Sequence, residues 1–464
     1  MPSSLASLLC ACFVALVFYR NAKEQPKTSF TLWIPIVWIG ILESKPIGLW
    51  FIASDSISLN YFMDGSPIDR AIFFGLMLAA VAVLAKRPAV RAVFSANRWL
   101  IAFYAFWLVS VLWSDYSLVS LRKWFRESGN LLMILIILTE DDPIVAIRQV
   151  FVRCGLFLIP ISVLLIKYYV EIGRYYNEWN GETAWRGVTD GKNQLGRLAL
   201  ITGLFLIWKV LLSSGKAVRL VTRIRKSVPE LMVLAMCLWI LRTANSATSI
   251  ATFFVGVSTL VVARLAWTRR HPGFVAFLIC CFLLTSLFFL TVPDLRALVT
   301  NRLGRSTDLT QRTDVWEGCF KLETNPLIGA GFSSVWMTRK GVELANQLKV
   351  GEAHNGYLET YLNGGLLGVG LLLGLLLSGA RSVLRYLASN WADGALYASI
   401  FLTGIIYNYT ELTFNNGNVV GLLMWLVMIQ CSVVQQQTGR MVPVQVGLDE
   451  TPNECLDGPE AASV

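Results

Sequence analysis

The sequence predicts an all-α, polytopic integral membrane protein with about 12–13 transmembrane helices and a large extramembrane loop ahead of the last three spans. Three observations predict it. Of 464 residues, 55% are hydrophobic and 15% charged, where a soluble chain carries about 25% charge. Mean hydropathy is +0.57. The apolar residues form runs long enough to cross a bilayer, and the charges gather in short clusters between them.

Taken in order, the runs lie near 3–19, 30–42, 68–85, 97–113, 127–139, 144–166, 193–212, 229–241, 248–264, 273–292, 364–380, 393–409 and 418–434. The first, "SLASLLCACFVALVFYR", has no basic segment before it and no clear cleavage site, so it reads as a retained span. The shortest are 30–42, 127–139 and 229–241. Lysine and arginine mark one face. The short basic loops 86–98, 215–226, 263–272 and 381–390 should be cytoplasmic. Alternation then puts 43–67, 114–126, 167–192, 242–247, 293–363 and 410–417 on the opposite side. Residues 435–464 are polar and lack an apolar period, which predicts a disordered cytoplasmic tail.

The net charge of +10 is spread over these loops. It reads as orientation charge, and nucleic acid is excluded as a partner. The nine cysteines mostly sit inside apolar runs and imply neither a disulfide framework nor a metal site. Cys319, in the large loop, is the one expected to be exposed. Metal ligation has no His pair, DxD or HExxH to rest on, and no Gly-rich phosphate loop follows a strand. Neither a metal nor another cofactor is expected.

Function should lie in the two long loops of the outer face, 167–192 and 293–363, because long structureless connections in compact proteins are usually functional. Basic residues there need a reason. Arg186, Lys192, Arg242, Arg305 and Arg312 are candidates for a phosphate site, since guanidinium groups offer paired N–H donors and keep their charge. Their alternative is pairing with Asp190, Asp308 or Asp314. The segment 114–128 has Leu118, Leu121, Trp124 and Phe125 on one helical face and Arg122, Lys123 and Arg126 on the other. It should lie flat on the outer leaflet. The stretch "GEAHNGYLETYLNGG" (351–365) holds one of two histidines in the chain. Helical spacing would put Leu358 and Tyr361 on the face of His354, with Glu359 beside it. A histidine at a membrane mouth suits proton transfer, and Asn355 and Tyr357 are expected substrate contacts.

The stretches "RTDVWEGCFKLETNPLIGAGFSSVW" (312–336) and "AHNGYLETYLNGGLLGVG" (353–370), with "WRGVTDGKNQLGRLA", "LTQRTDVW" and "DGSPIDR", resemble the O-antigen ligase and polymerase superfamily, most closely its exopolysaccharide polymerase branch. The resemblance spans about residues 30–434 and implies a GT-C-like, multi-pass protein of the bacterial inner membrane whose catalytic loops are periplasmic. It implies transfer of a glycan from undecaprenyl pyrophosphate to an acceptor glycan without metal and with inversion. Partners would be that lipid-linked oligosaccharide, the acceptor, the bilayer and other polysaccharide assembly and export proteins. An H-x10-G pattern of the ligases is met by His354 and Gly365; the companion R-x10-G is not, because Arg186 precedes Gly196 one position early. On this reading His354 takes the acceptor proton, and Arg312 with Arg186, Lys192 and Arg242 meets the leaving charge. The alternatives are a ligase that loads lipid A core, and a transporter of lipid-linked glycans. Transport would call for mid-span charges and broken helices in matching halves.

A cysteine introduced into 300–350 should react with a membrane-impermeant thiol reagent in cells with a permeable outer envelope, and one in 216–226 should not. The reverse labelling would overturn the orientation.

Overall fold

The computed structural model describes residues 1–24, 28–51, 66–176, 183–211, 227–265, 268, 270, 271, 273, 274, 312–414 and 417–441. Every predicted apolar run is helical except 273–292, nearly all of which lies outside the described residues. The helices are α1 (Ser3–Glu24), α2 (Trp33–Leu42), α3 (Pro67–Leu84), α4 (Val90–Ala96), α5 (Arg98–Val109), α6 (Ser117–Leu138), α7 (Pro143–Tyr168), α8 (Lys192–Leu211), α9 (Val228–Ala244) and α10 (Ala247–Arg264). After them come α11 (Arg312–Phe320), α12 (Arg339–Leu348), α13 (Gly356–Ser389), α14 (Trp391–Thr410) and α15 (Val419–Met441). The one departure from an all-helical chain among the described residues is a hairpin of β1 (Arg174–Tyr176) and β2 (Thr183–Trp185), with Tyr175 opposite Ala184.

Local sequence explains where the long helices begin. Ser66 accepts from the amide of Ile68 ahead of Pro67, and Asp142 accepts from Ile144 and Val145 ahead of Pro143. An oxygen-bearing cap followed by proline is a strong helix start. The bundle packs α8 on α7, α9 and α10, α14 on α10, and α13 on α5, α14 and α15. Its buried centre is aliphatic and aromatic, with Trp107, Trp208, Phe205 and Phe401 almost fully enclosed. Large apolar side chains also stay outside, among them Leu8 and Leu16 on α1, Phe74 and Leu78 on α3, and Leu373 and Leu377 on α13. Such surfaces call for a lipid solvent, and the chain is a multi-pass membrane protein.

Among the described residues four helices, α1, α3, α7 and α13, are long and apolar enough to cross a bilayer alone. A fifth span results if α4 and residues 98–113, bent by 90° from each other, count as one. The other predicted spans among the described residues are helical but shorter or more polar. Loop ends nevertheless sort into the two expected sets. At one end Lys45 N–H donates to the Val188 carbonyl and Trp113 Nε1–H to that of Ile328. At the other, Trp208 Nε1–H donates to Ala392 and Trp391 Nε1–H to Ala263.

Two expectations are corrected. The segment 114–126 is no separate interfacial helix; it is the first half of α6, continuous with the run 127–139. Its apolar face, with Leu118 and Phe125, is exposed, while Glu127 and Asn130 turn into the bundle. Helix α15 also continues to Met441, past the predicted start of the tail; residues 442–464 lie outside the described set.

The described part of the large loop runs from Arg312 on, and a break in α13 anchors it. Gly365 has φ 59° and ψ −161° inside that helix, which interrupts the hydrogen-bond ladder. The freed groups are taken by the "PLIGAGF" segment. Ala330 and Gly331 donate to the carbonyls of Leu362 and Asn363, and Leu366 and Leu367 donate to those of Pro326 and Leu327, at 2.9–3.0 Å. A Cβ on Gly365 would run into the Leu327 backbone, and one on Gly329 into that of Asn363. Glycine is required at both contact points.

Gly365→Ala should lower thermal stability by on the order of 1–3 kcal/mol or more, as expected for a non-glycine residue forced into such backbone plus a clash. Gly370→Ala, whose added carbon meets nothing within 4 Å, is the control. Detergent-solubilised melting curves read both; equal curves would refute the docking account.

Candidate functional site

The docked loop ends at His354, and the chain on both sides is pinned. Ala353 N–H donates to Glu359 Oε2 at 3.0 Å, and its carbonyl accepts from Trp316 Nε1 at 2.9 Å. Asn355 then caps α13, its Oδ1 accepting from Tyr357 and Leu358. Between these fixed residues His354 adopts φ +47°, left-handed backbone that costs a non-glycine residue on the order of 1–3 kcal/mol. The imidazole thereby lies outside the helix, and the expected alignment with Leu358 and Tyr361 along one helical face does not occur.

The imidazole faces two carboxylates. Nδ1 is 3.0 Å from Glu352 Oε1 and 3.8 Å from Glu411 Oε2. Glu411 follows the last turn of α14, where its Oε1 accepts from Arg312 Nη2 at 2.6 Å and from Asn193 Nδ2 at 2.9 Å. Arg312 opens α11 and Asn193 the first turn of α8. One carboxylate thus ties three segments that sequence reasoning put on one face. One turn along α8 from Asn193, Arg197 pairs with Glu43 at 2.9 Å. Arg312 and Glu411 are mostly buried, with 14% and 10% of their side chains exposed.

Charge follows geometry. Burial opposes a charged His354, but the carboxylates of Glu352 and Glu411 outweigh it and raise its pKa to about 9. Burial likewise opposes a charged Glu411, and His354, Arg312 and Arg197 together hold its pKa below the usual carboxylate value. At neutral pH the cluster is an imidazolium and a guanidinium sharing Glu411, with Glu352 alongside. An imidazolium has two donors and no free lone pair. A proton-accepting role for His354, as expected from sequence, therefore requires the neutral ring. The imidazolium can stabilise negative charge, and Glu352 Oε1 lies 3.0 Å from its Nδ1.

Glu352, His354 and Glu411 offer ligand atoms within 4.8 Å of one another, a cluster that was not anticipated from spacing. Arg312 pairs with Glu411 Oε1, the oxygen other than the Oε2 that faces His354.

The other expected residues are placed differently. Arg186 Nε donates to the Ile172 carbonyl at 2.8 Å, and its guanidinium sits 5.9 Å from the Tyr175 ring; it secures the 170–187 turn. Lys192 begins α8 next to Asn193, and its backbone N–H donates to the Tyr175 hydroxyl at 3.3 Å. Arg242 is exposed in the last turn of α9. Arg305 lies outside the described residues. Asn355 serves as a helix cap, and Tyr357 donates its hydroxyl to the Ile405 carbonyl at 3.0 Å, tying α13 to α14. Arg312 pairs with Glu411 rather than Asp314, and Asp308 lies outside the described residues. Cys319, expected to be exposed, is fully buried under the large loop. Sequence reasoning missed Glu411, Glu352 and Asn193. The signal for Glu411 was an acid directly after Thr410 at the end of an apolar run.

Comparison with known proteins agrees with the resemblance. Residues 231–373 match the family model described as O-antigen ligase (Wzy_C). The chain is also 24% identical over 361 residues to the exopolysaccharide production protein ExoQ of Rhizobium meliloti (strain 1021), covering 75% of this chain and 78% of that one. The sequence is O-antigen ligase-like and similar to that exopolysaccharide protein, as its motifs indicated.

Folded His354 titrates near 9 against an ordinary 6.5. Its stabilising contribution is therefore complete below pH 6.5 and fades as pH rises through about 9. Melting temperature should drop between about pH 7 and 10, and His354→Gln should remove that portion of the drop. A variant with an unchanged pH slope would assign the titration to another group.

Proposed function

We propose that the chain is a glycosyltransferase that moves a glycan from undecaprenyl pyrophosphate to an acceptor sugar hydroxyl, most directly polymerising exopolysaccharide or O-antigen repeat units. The observation that carries this reading is a buried guanidinium and an imidazolium held on one carboxylate at the end of an apolar bundle. Two fixed cations at a membrane boundary suit a lipid diphosphate. The orientation read from the basic loops puts that end on the periplasmic face of the inner membrane.

In the proposed step the acceptor oxygen bonds to the anomeric carbon from the side opposite the leaving group. The carbon–oxygen bond to the diphosphate breaks, and its electron pair leaves with undecaprenyl pyrophosphate. Arg312 and His354 meet the charge that grows there, relaxing their hold on Glu411 as the diphosphate replaces it. Lys192 adds positive charge at the same end. The hydroxyl proton passes to Glu352. Donors placed in advance for a developing charge contribute about 3–4 kcal/mol each. Positive charge comes from side chains, so metal is not required.

A second reading, ligation of the glycan to lipid A core, is favoured by the spacing of His354 and Gly365 and by the ligase description of the matched family. The ExoQ relative favours polymerisation. Deleting the gene separates the two: chains collapse to one repeat for a polymerase, and remain long but unattached for a ligase.

Purified protein in vesicles with undecaprenyl-pyrophosphate-linked repeat and no added metal should form product. Arg312→Ala should lower turnover per folded molecule about 100–1000-fold, and Arg312→Lys less. The double variant Arg312→Ala/Glu411→Gln, which leaves no unpaired buried carboxylate, should stay as slow. Chelator should change nothing. Full turnover by Arg312→Ala, or loss of wild-type turnover with chelator, would contradict the mechanism.

A further inference from the structure

Beside the charged cluster lies a second cavity, of about 130 Å³, walled by α6, the 332–336 turn, residues 351–352, the first turns of α13 and residues 412–414. A water needs about 10–15 Å³ of such space, so the cavity takes a solute larger than a few waters. It lies apart from Arg312, which is absent from its walls, and touches the cluster only through Glu352.

Its walls divide into two chemistries. The rings of Trp107, Phe332, Trp336 and Phe414 line it, with Trp107 and Phe332 packed at 5.5 Å. Between them stand polar groups: Glu352, Glu359, Asn363 and Lys123. These groups are held in place. Glu359 accepts from Trp336 Nε1 and Asn363 Nδ2 at 3.0 Å. Lys123 Nζ donates to Ser333 Oγ at 3.2 Å, and Ser333 keeps a left-handed φ of +50°. Trp107 is 2% exposed, and its Nε1–H has no hydrogen-bond partner among the described residues. A buried donor without a partner costs on the order of 1–3 kcal/mol, which an incoming acceptor oxygen would relieve.

We infer that this cleft is the subsite for a pyranose ring of the acceptor glycan, presenting one of its hydroxyls to Glu352. Rings that cover C–H faces, alternating with carboxylate and amide groups that hold hydroxyls, are complementary to a sugar and to few other solutes. A diphosphate does not fit: Glu127, Glu352 and Glu359 oppose Lys123 and Arg126 around the space, so it offers an anion no net attraction. An acyl chain does not fit either, since it would lie against five ionisable side chains and leave their polar atoms desolvated. The inference rests on the glycosyl-transfer reading above for the direction of the reaction, but the binding it asserts stands apart from turnover.

Gly351 allows a direct test. It lines the cleft, and a Cβ there meets nothing within 4 Å, so Gly351→Phe should fold normally and fill the space. The probe is the single-repeat oligosaccharide released from the host polysaccharide by mild acid, titrated against tryptophan fluorescence of protein in nanodiscs. Wild type should bind it saturably. Gly351→Phe, with an unchanged melting temperature, should bind at least tenfold more weakly, and in the vesicle assay should raise KM for the acceptor while leaving affinity for the lipid-linked donor unchanged. Trp336→Phe, which keeps a ring but loses the donor to Glu359, should weaken binding less. Equal binding by wild type and Gly351→Phe, or no binding to wild type at millimolar probe, would overturn the subsite. Probe binding that Gly351→Phe abolishes, in a protein that transfers nothing, would keep the subsite and sink the transferase reading. Transfer unaffected by Gly351→Phe would do the opposite.

Discussion

The arrangement depends on one carboxylate. Glu411 sits at the end of α14, in a place where burial alone would neutralise it, and stays charged because His354, Arg312 and Arg197 surround it. In return it fixes the positions of both cations and, through Asn193, the start of α8. Removing such a group from a desolvated cluster leaves two positive charges facing each other, and breaking a buried pair commonly costs about 3–5 kcal/mol. On the proposed function, this internal anion holds the donors where a diphosphate would need them.

The second constraint is backbone geometry. The kink at Gly365 would be a defect in an isolated helix, since it exposes carbonyls and amides inside an apolar bundle. Here those groups receive the 326–331 segment as a partner. The helix break and the large loop are therefore one feature. Docking the loop brings Trp316 to Ala353, and Ala353 to Glu359, which leaves His354 no other direction to face. The sequence spacing between His354 and Gly365 has a physical meaning: it measures the distance from the His354 turn to the point where the loop is fastened.

Much of this was legible in the chain. Apolar runs marked the helices, and basic clusters sorted their connections into two sets that the structure also groups. His354 and Arg312 stood out because few histidines and few outer-face arginines exist to choose among. What stayed hidden was pairing at long range. Nothing near Arg312 indicates Glu411, 99 residues away, and Asp314 was the nearer candidate. Local pattern also misled at α6. Its amphipathic pattern was read as a flat helix on a membrane, yet Leu118, Leu121 and Phe125 are exposed together with Arg122 and Arg126, while Glu127 and Asn130 turn inward. Arg186, Asn355 and Tyr357 were picked for their chemistry and turned out to satisfy neighbouring backbone, the commonest fate of polar groups near helix ends.

The central claim is that Arg312 and His354 form the seat of a lipid diphosphate. A cryo-electron microscopy map of the protein in nanodiscs with a non-transferable phosphonate analogue of the undecaprenyl-pyrophosphate-linked sugar tests it most directly. The account predicts the phosphonate–phosphate pair between the Arg312 guanidinium and the His354 imidazole, with Glu411 displaced from at least one of them. Density for that pair elsewhere, with the Arg312–Glu411 contact intact, would contradict it.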